Sequence, residues 1–134
     1  SGGSDYERLR ELSQNARNII FKGWVSESEL ESIVGNSIAS IYVPDDEDFG
    51  MSVVESMSQG KPVIGVSSGG LTETIVHGET GYLISEELTV DKIIKAVEFM
   101  TPSRAKSMQD ACMCKSEKFT SSKFARSVLS IMTG

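Results

Sequence analysis

The sequence predicts an α/β domain built on a mostly parallel sheet. Short runs rich in β-branched residues alternate with runs of helical period, the order that yields strand–helix–strand units. Glycines and capping residues punctuate the boundaries between them. A chain of 134 residues, 39% hydrophobic and 24% charged, can bury one modest core.

Ser4-Asp5-Tyr6-Glu7 has Ser and Glu at capping-box spacing and opens a helix to about Ala16. Asn18 to Lys22 (NIIFK) is a short β-branched run and reads as a strand. Ser26-Glu27-Ser28-Glu29 is a second capping box, opening a helix through Leu30, Ile33 and Val34. Ser37 to Val43 (SIASIYV) is a strand. Gly50 to Gln59 carries Met51, Val53, Val54 and Met57 at helical spacing, and Gly60 ends it. Pro62 to Val66 (PVIGV) is a strand of the fully buried type. Gly69-Gly70 turns into a short helix near Thr72 to Val76, and after His77-Gly78 the run Gly81 to Ile84 is the last strand. Asp91 to Met100 sets Ile93, Ile94, Val97 and Met100 on one stripe. Thr101-Pro102 caps the next helix, with proline at its first position. Thr120 to Met132 is a final amphipathic helix.

A net charge of −6 argues against a nucleic-acid or anionic-membrane surface. No apolar run approaches the ~20 residues of a membrane span. Cys112 and Cys114 point to different faces of one helix and read as two inert, reduced thiols of a cytoplasmic protein. With one histidine beside them they do not make a zinc cluster, so no metal is expected. His77 reads as part of a polar turn, and Lys61 as a solvated turn residue.

Parallel α/β sheets bind ligands outside the carboxyl ends of their strands. That singles out the loops Pro44 to Gly50 and Ser67 to Gly70, both with glycines that let a ligand approach the backbone. In the first, Asp46-Glu47-Asp48 stand before Phe49-Gly50 at a helix start. Such a start favours an anion, because its unpaired N–H groups point outward. The acids have a bland reading, a solvated loop placed well for the helix dipole. Glu55, eight residues after Glu47, likewise reads as an exposed helix glutamate. Together, Glu47 and Glu55 would bracket a donor cluster with two acceptors, an arrangement suited to a ligand with both phosphates and hydroxyls.

The stretch Glu47 to Ile84, "EDFGMSVVESMSQGKPVIGVSSGGLTETIVHGETGYLI", resembles the donor-binding segment of the GT-B-fold, retaining glycosyltransferases of the family 4 type. Glu47 and Glu55 fill that family's E-x7-E pair. Gly60, Pro62, Gly69, Gly70, Glu73, Gly78 and Gly81 fall in register, and "FKGWVSESEL", Phe21 to Leu30, matches the element upstream. Asp48 stands where the family more often has glycine, and Ser56-Met57-Ser58 where it has Ala-Met-Ala.

The resemblance implies a Rossmann-like parallel sheet with flanking helices, the C-terminal half-domain of a GT-B glycosyltransferase, with residues 1–134 as a single partial domain. It implies a nucleotide-diphosphate sugar, such as a UDP- or GDP-hexose, as substrate, and no further cofactor. Glu47 would be catalytic and would accept the sugar hydroxyls, and Glu55 those of the ribose. Phe49, Gly50, Met51 and Ser52 would meet the phosphate and sugar, Gly69 and Gly70 would line the site, and Trp24, Val25 and Ser26 would contact the base. The family's Arg and Lys after its first strand, and its N-terminal domain, have no counterpart here. The expectation is therefore part of a larger enzyme, inactive alone, meeting a sugar or lipid acceptor through an N-terminal domain. The whole enzyme would be cytoplasmic, with peripheral attachment to the inner membrane. Two other readings stay open, a non-catalytic nucleotide-sugar binding module and a phosphoacceptor receiver-like domain.

Overall fold

The computed structural model describes residues 5–44, 50–85 and 87–119. They fall into two compact units, Ser1–Ser32 and Ile33–Gly134.

In the first unit, helix α1 spans Tyr6–Leu12, shorter than the expected run to Ala16. Its N-cap is Asp5, but the carboxylate does not cap the helix. It accepts two hydrogen bonds from the Arg8 guanidinium, at 3.2 and 2.7 Å, and that partner holds its pKa below the usual carboxylate value. Ser4 lies outside the described residues. The strand expected over Asn18 to Lys22 is not formed. A strand needs a ladder partner for its backbone groups, and this segment has none among the described residues. Its β-branched residues stay exposed, Ile20 at 78%. The second capping box is half realised: the Glu29 N–H donates to the Ser26 hydroxyl at 3.2 Å, opening α2, Glu27–Gly35.

The second unit holds a three-stranded parallel sheet: β1, Ser40–Tyr42; β2, Val63–Val66; and β3, Gly81–Ile84, in the order β1-β2-β3. Central β2 is buried at all four positions, as expected of a strand covered on both faces. β1 starts later than its apolar run, because Ser37 turns back onto α2. Its N–H and hydroxyl both donate to the Val34 carbonyl, at 3.0 and 2.8 Å. Helix α3, Met51–Ser58, follows β1, and α4, Leu71–Thr74, follows β2. After β3 come α5, Val90–Phe99; α6, Pro102–Ser107; and α7, Gln109–Ser116. Thr101 caps α6 by accepting from the Arg104 N–H at 3.3 Å, with Pro102 at the first position, as its sequence predicts. The helix expected over Thr120 to Met132 lies outside the described residues.

The core gathers Val53 and Met57 of α3, Val63, Ile64 and Val66 of β2, Leu71, Ile75, Ile84, Ala96, Met100, Met108 and Cys112. Two apolar patterns sit differently from expectation. On α5 the core is met by Ala96 and, just past its end, Met100, with Ile93 half-buried, while Ile94 and Val97 are exposed. Ala96, with no side chain beyond Cβ, lets the helix lie close on the core, which rotates Ile94 and Val97 outward. On α3 the inward line is Val53, Ser56 and Met57, so Met51 is exposed at the helix start. Ser56 is tolerated inside because its hydroxyl lies 2.8 Å from that of Ser40 on β1.

His77 belongs to the turn before β3, as expected, with one addition. Its Nδ1 accepts from the Leu83 N–H at 3.0 Å, and its ring packs tilted against Tyr82, with centroids 4.6 Å apart and planes at 55°. It thereby pairs a backbone donor of β3, the edge strand of the described sheet.

Both cysteines are free, Cys112 buried and Cys114 exposed, on different faces as their spacing predicts. The Cys112 thiol donates to the Thr80 carbonyl at 3.6 Å, and burial pushes its pKa up from 9.0 to about 11. The unfolded chain can lose this proton above pH 9 while the folded chain holds it. Stability therefore falls as pH rises from 9 towards 11. Urea unfolding across this interval should show a loss of about 2 kcal/mol in the native protein that is absent from Cys112→Ala.

Candidate functional site

The site forms where the parallel strands end. β1 runs out at Tyr42-Val43-Pro44, β2 at Val66-Ser67-Ser68, and both chains then turn into helices, α3 and α4. The Ser67 N–H donates to the Ile84 carbonyl at 2.6 Å, extending the β2–β3 ladder one step into the loop.

Gly50 is buried at the head of α3 with φ 71° and ψ 60°, the left-handed conformation that glycine adopts without steric cost. Space as well as torsion demands glycine there. A Cβ at Gly50 would lie 2.8 Å from Leu71 Cδ2 and 3.4 Å from Val53 Cγ2. Leu71, the first residue of α4, also fills the space beside Gly65 on β2, where a Cβ would come within 3.5 Å of Leu71 Cδ1 and 2.7 Å of Ile75 Cδ1. Leu71 thus packs against bare backbone in both the α3 start and β2, and ties the two loops together.

At α3 the Val53 N–H is already bonded to the Gly50 carbonyl at 2.9 Å. The N–H groups of Met51 and Ser52 precede that first bond, and both residues are exposed. Glu55 is exposed on the same side of the helix as Met51 and Ser52, three and four residues away, and turned from the Val53–Met57 pair. Its carboxylate has no hydrogen-bond or ion-pair partner among the described residues. A carboxylate and open backbone donors therefore share one exposed face at a helix start.

The second loop is firmer. Gly69 has φ 51°, and its carbonyl accepts from the Thr72 hydroxyl at 2.9 Å. The Gly70 carbonyl accepts from the Thr74 N–H and hydroxyl, each at 3.2 Å. These bonds occupy the loop's carbonyls.

The structure brings Gly50, Met51, Ser52, Glu55, Gly69 and Gly70 to one end of the sheet. Glu47 and Phe49 lie outside the described residues. Trp24, Val25 and Ser26 belong to the first unit. There Trp24 is 86% exposed, Val25 is half-buried, and the Ser26 hydroxyl is engaged as the cap of α2. Sequence reasoning missed Leu71 and Gly65. The glycine inside the apolar run VIGV was the available signal, since glycine within a strand often marks a close approach.

A parallel α/β sheet with two glycine-led loops at its carboxyl end is a Rossmann-like ligand-binding unit. The model of the family Glycosyl transferases group 1 matches residues 1–112, and the chain belongs to that family. Among curated relatives, it is 40% identical over 83 residues to the alpha-1,3/1,6-mannosyltransferase ALG2 of Dictyostelium discoideum, 58% of this chain and 20% of that protein. It is 32% identical over 108 residues to the GDP-mannose-dependent alpha-(1-6)-phosphatidylinositol monomannoside mannosyltransferase of Mycobacterium tuberculosis, 72% of this chain and 27% of that one. The matched segment thus spans about a fifth to a quarter of these relatives' length. Among solved structures, a sucrose-phosphate synthase from Thermosynechococcus elongatus superposes with a TM-score of 0.82 at 22% identity, covering 99% of this chain and 35% of that one. Anabaena Alr3699/HepE in complex with UDP and glucose gives 0.75 at 19% identity, covering 96% and 37%. The fold is that of a GT-B glycosyltransferase.

Glycine's two roles separate by mutation. Gly50→Ala carries both the torsional and the steric penalty and should destabilise the protein by about 2–4 kcal/mol. Gly78, at φ 82° with nothing within 4 Å of a built Cβ, has only the torsional one, so Gly78→Ala should cost about 1 kcal/mol. Urea midpoints of the two variants measure the difference.

Proposed function

We propose that this chain is the donor-binding part of a retaining hexosyltransferase and holds a nucleotide-diphosphate sugar at the start of α3. The observation that carries this reading is the exposed face shared by the Met51 and Ser52 N–H groups and the Glu55 carboxylate, beside Gly50. Open N–H groups at a helix start suit a phosphate oxygen. A carboxylate suits vicinal hydroxyls, because it can accept from two at once. Glu55 then reads the ribose, and Glu47, from the acidic loop, reads and orients the transferred sugar. Gly69 and Gly70 let the donor approach the second loop closely.

Mannose is the donor sugar that the relatives support, since the named mannosyltransferases from Dictyostelium discoideum, Neurospora crassa and mouse are 40, 37 and 33% identical to this chain over their matched segments. The Mycobacterium tuberculosis relative is named for GDP-mannose, which makes a guanosine diphosphate donor the first choice. The acceptor, a sugar or lipid, is met by a second domain of the whole enzyme, which works in the cytoplasm.

A receiver-like domain is disfavoured. Its lysine–proline pair belongs at the carboxyl end of a strand, among the phosphoacceptor acids. Lys61-Pro62 stands at the amino end of β2, whose first residue is Val63.

Calorimetric titration with GDP, GDP-mannose and UDP-glucose tests the assignment. Glu55→Ala should weaken GDP and GDP-mannose alike, by about 1.5–3 kcal/mol, the range for a hydrogen bond to a charged group. Glu47→Ala should weaken GDP-mannose and leave GDP nearly unchanged. Equal losses for both variants against free GDP would contradict the division of roles, and tighter binding of NADH than of any nucleotide sugar would sink the reading.

A further inference from the structure

At the amino end of the sheet, opposite the donor loops, lies an open cleft of about 310 Å³. Ser37 and Ile38 wall it on the β1 side, the turn Gly60-Lys61 forms its floor, and Lys106 and Gln109 face across from α6 and α7. Its volume is at the small end of ligand sites.

The charge of this cleft runs against the rest of the chain. Acids outnumber bases 19 to 13 overall, yet no carboxylate lines the cleft and two ammonium groups do. Neither Lys61 nor Lys106 has an ion-pair partner among the described residues. Lys61 is half-buried. Gln109, exposed, adds an amide and lies over Gly60, where a Cβ would come within 2.6 Å of Gln109 Cγ. Gly60 itself takes φ 70° to end α3. Two lysines without an ion-pair partner and an amide that can donate therefore line one small concavity with no carboxylate among its lining residues.

We propose that this cleft binds the phosphate group of a small, soluble phosphomonoester, with Lys61 and Lys106 supplying the charge and Gln109 the directed hydrogen bond. The site is separate from the nucleotide-sugar site and does not depend on it. One strand, β2, joins the two, since Lys61 stands just before it and the Ser67–Gly70 loop just after.

Amide NMR of the whole chain, titrated with inorganic phosphate against chloride at matched ionic strength, tests the proposal. Saturable shifts are expected at Ser37, Gly60, Lys61 and Gln109, and none at Met51, Ser52 or Gly69. The double variant Lys61→Gln/Lys106→Gln should weaken the response at least about tenfold, given two charge-assisted contacts. The proposal is overturned by shifts that chloride reproduces, or by a response that the double variant retains. It is overturned too if the protein pellets with phosphatidic acid vesicles, in a Lys61- and Lys106-dependent manner, while free phosphate has no effect. That outcome would assign the lysines to a lipid surface.

Discussion

The candidate site rests on one contact, Leu71 against the bare backbone of Gly50 and Gly65. At Gly50 a side chain would meet Leu71, at 2.8 Å, and at Gly65 it would meet Ile75, at 2.7 Å, with Leu71 at ordinary contact distance. With both absent, Leu71 sinks to 1% exposure between the start of α3 and the middle of β2. Burying such a side chain contributes about 1.5–3 kcal/mol. It also has a geometric effect, because the loop after β1 and the loop after β2 are held in fixed relation by a single side chain. A ligand that spans both loops meets a surface already set, and the entropy of ordering it has been spent in folding.

Around this contact the two loops divide the chemistry. The Gly69-Gly70 loop has its carbonyls taken up by Thr72 and Thr74. The α3 start keeps N–H groups open and places Glu55 on the same face. Open donors at a helix start attract negative charge, and Glu55 lies one turn along, where its carboxylate can accept hydroxyl protons without occupying those donors. On the proposed reading, that separation suits one short helix to a ligand with both phosphates and hydroxyls. The amino end of the sheet shows the reverse pattern, two lysines and no lining carboxylate.

Much of this was legible in the sequence because punctuation and periodicity agreed. Gly60 and Pro62 bound β2 and α3, the VIGV run is buried at every position as a central parallel strand must be, and Ser26 and Thr101 cap helices as their spacing predicts. The failures have physical causes. NIIFK has strand composition, but composition cannot supply a neighbour to pair with. Ile94 and Val97 fit a helical stripe, yet Ala96 decides which face docks, because close approach outweighs side-chain size there. Ser4, the capping residue of the first box, lies outside the described residues, among which Asp5 heads α1 and pairs with Arg8. At the site, Glu55 is exposed as a helix glutamate should be, while Met51, read as part of the apolar stripe, is exposed as well. Leu71 was invisible, since nothing in an apolar residue shows which two glycines it will fill, and Lys61 read as an ordinary turn residue until the fold set Lys106 beside its cleft.

The central claim is that the α3 start and the Gly69-Gly70 loop act as one donor site. Amide NMR during titration with GDP-mannose tests it most directly. The account predicts that Met51, Ser52, Glu55, Ser68, Gly69 and Gly70 shift together with a single dissociation constant, and that Leu71→Ala weakens binding although Leu71 is buried from the ligand. Shifts confined to one loop, or binding unchanged in folded Leu71→Ala, would contradict it.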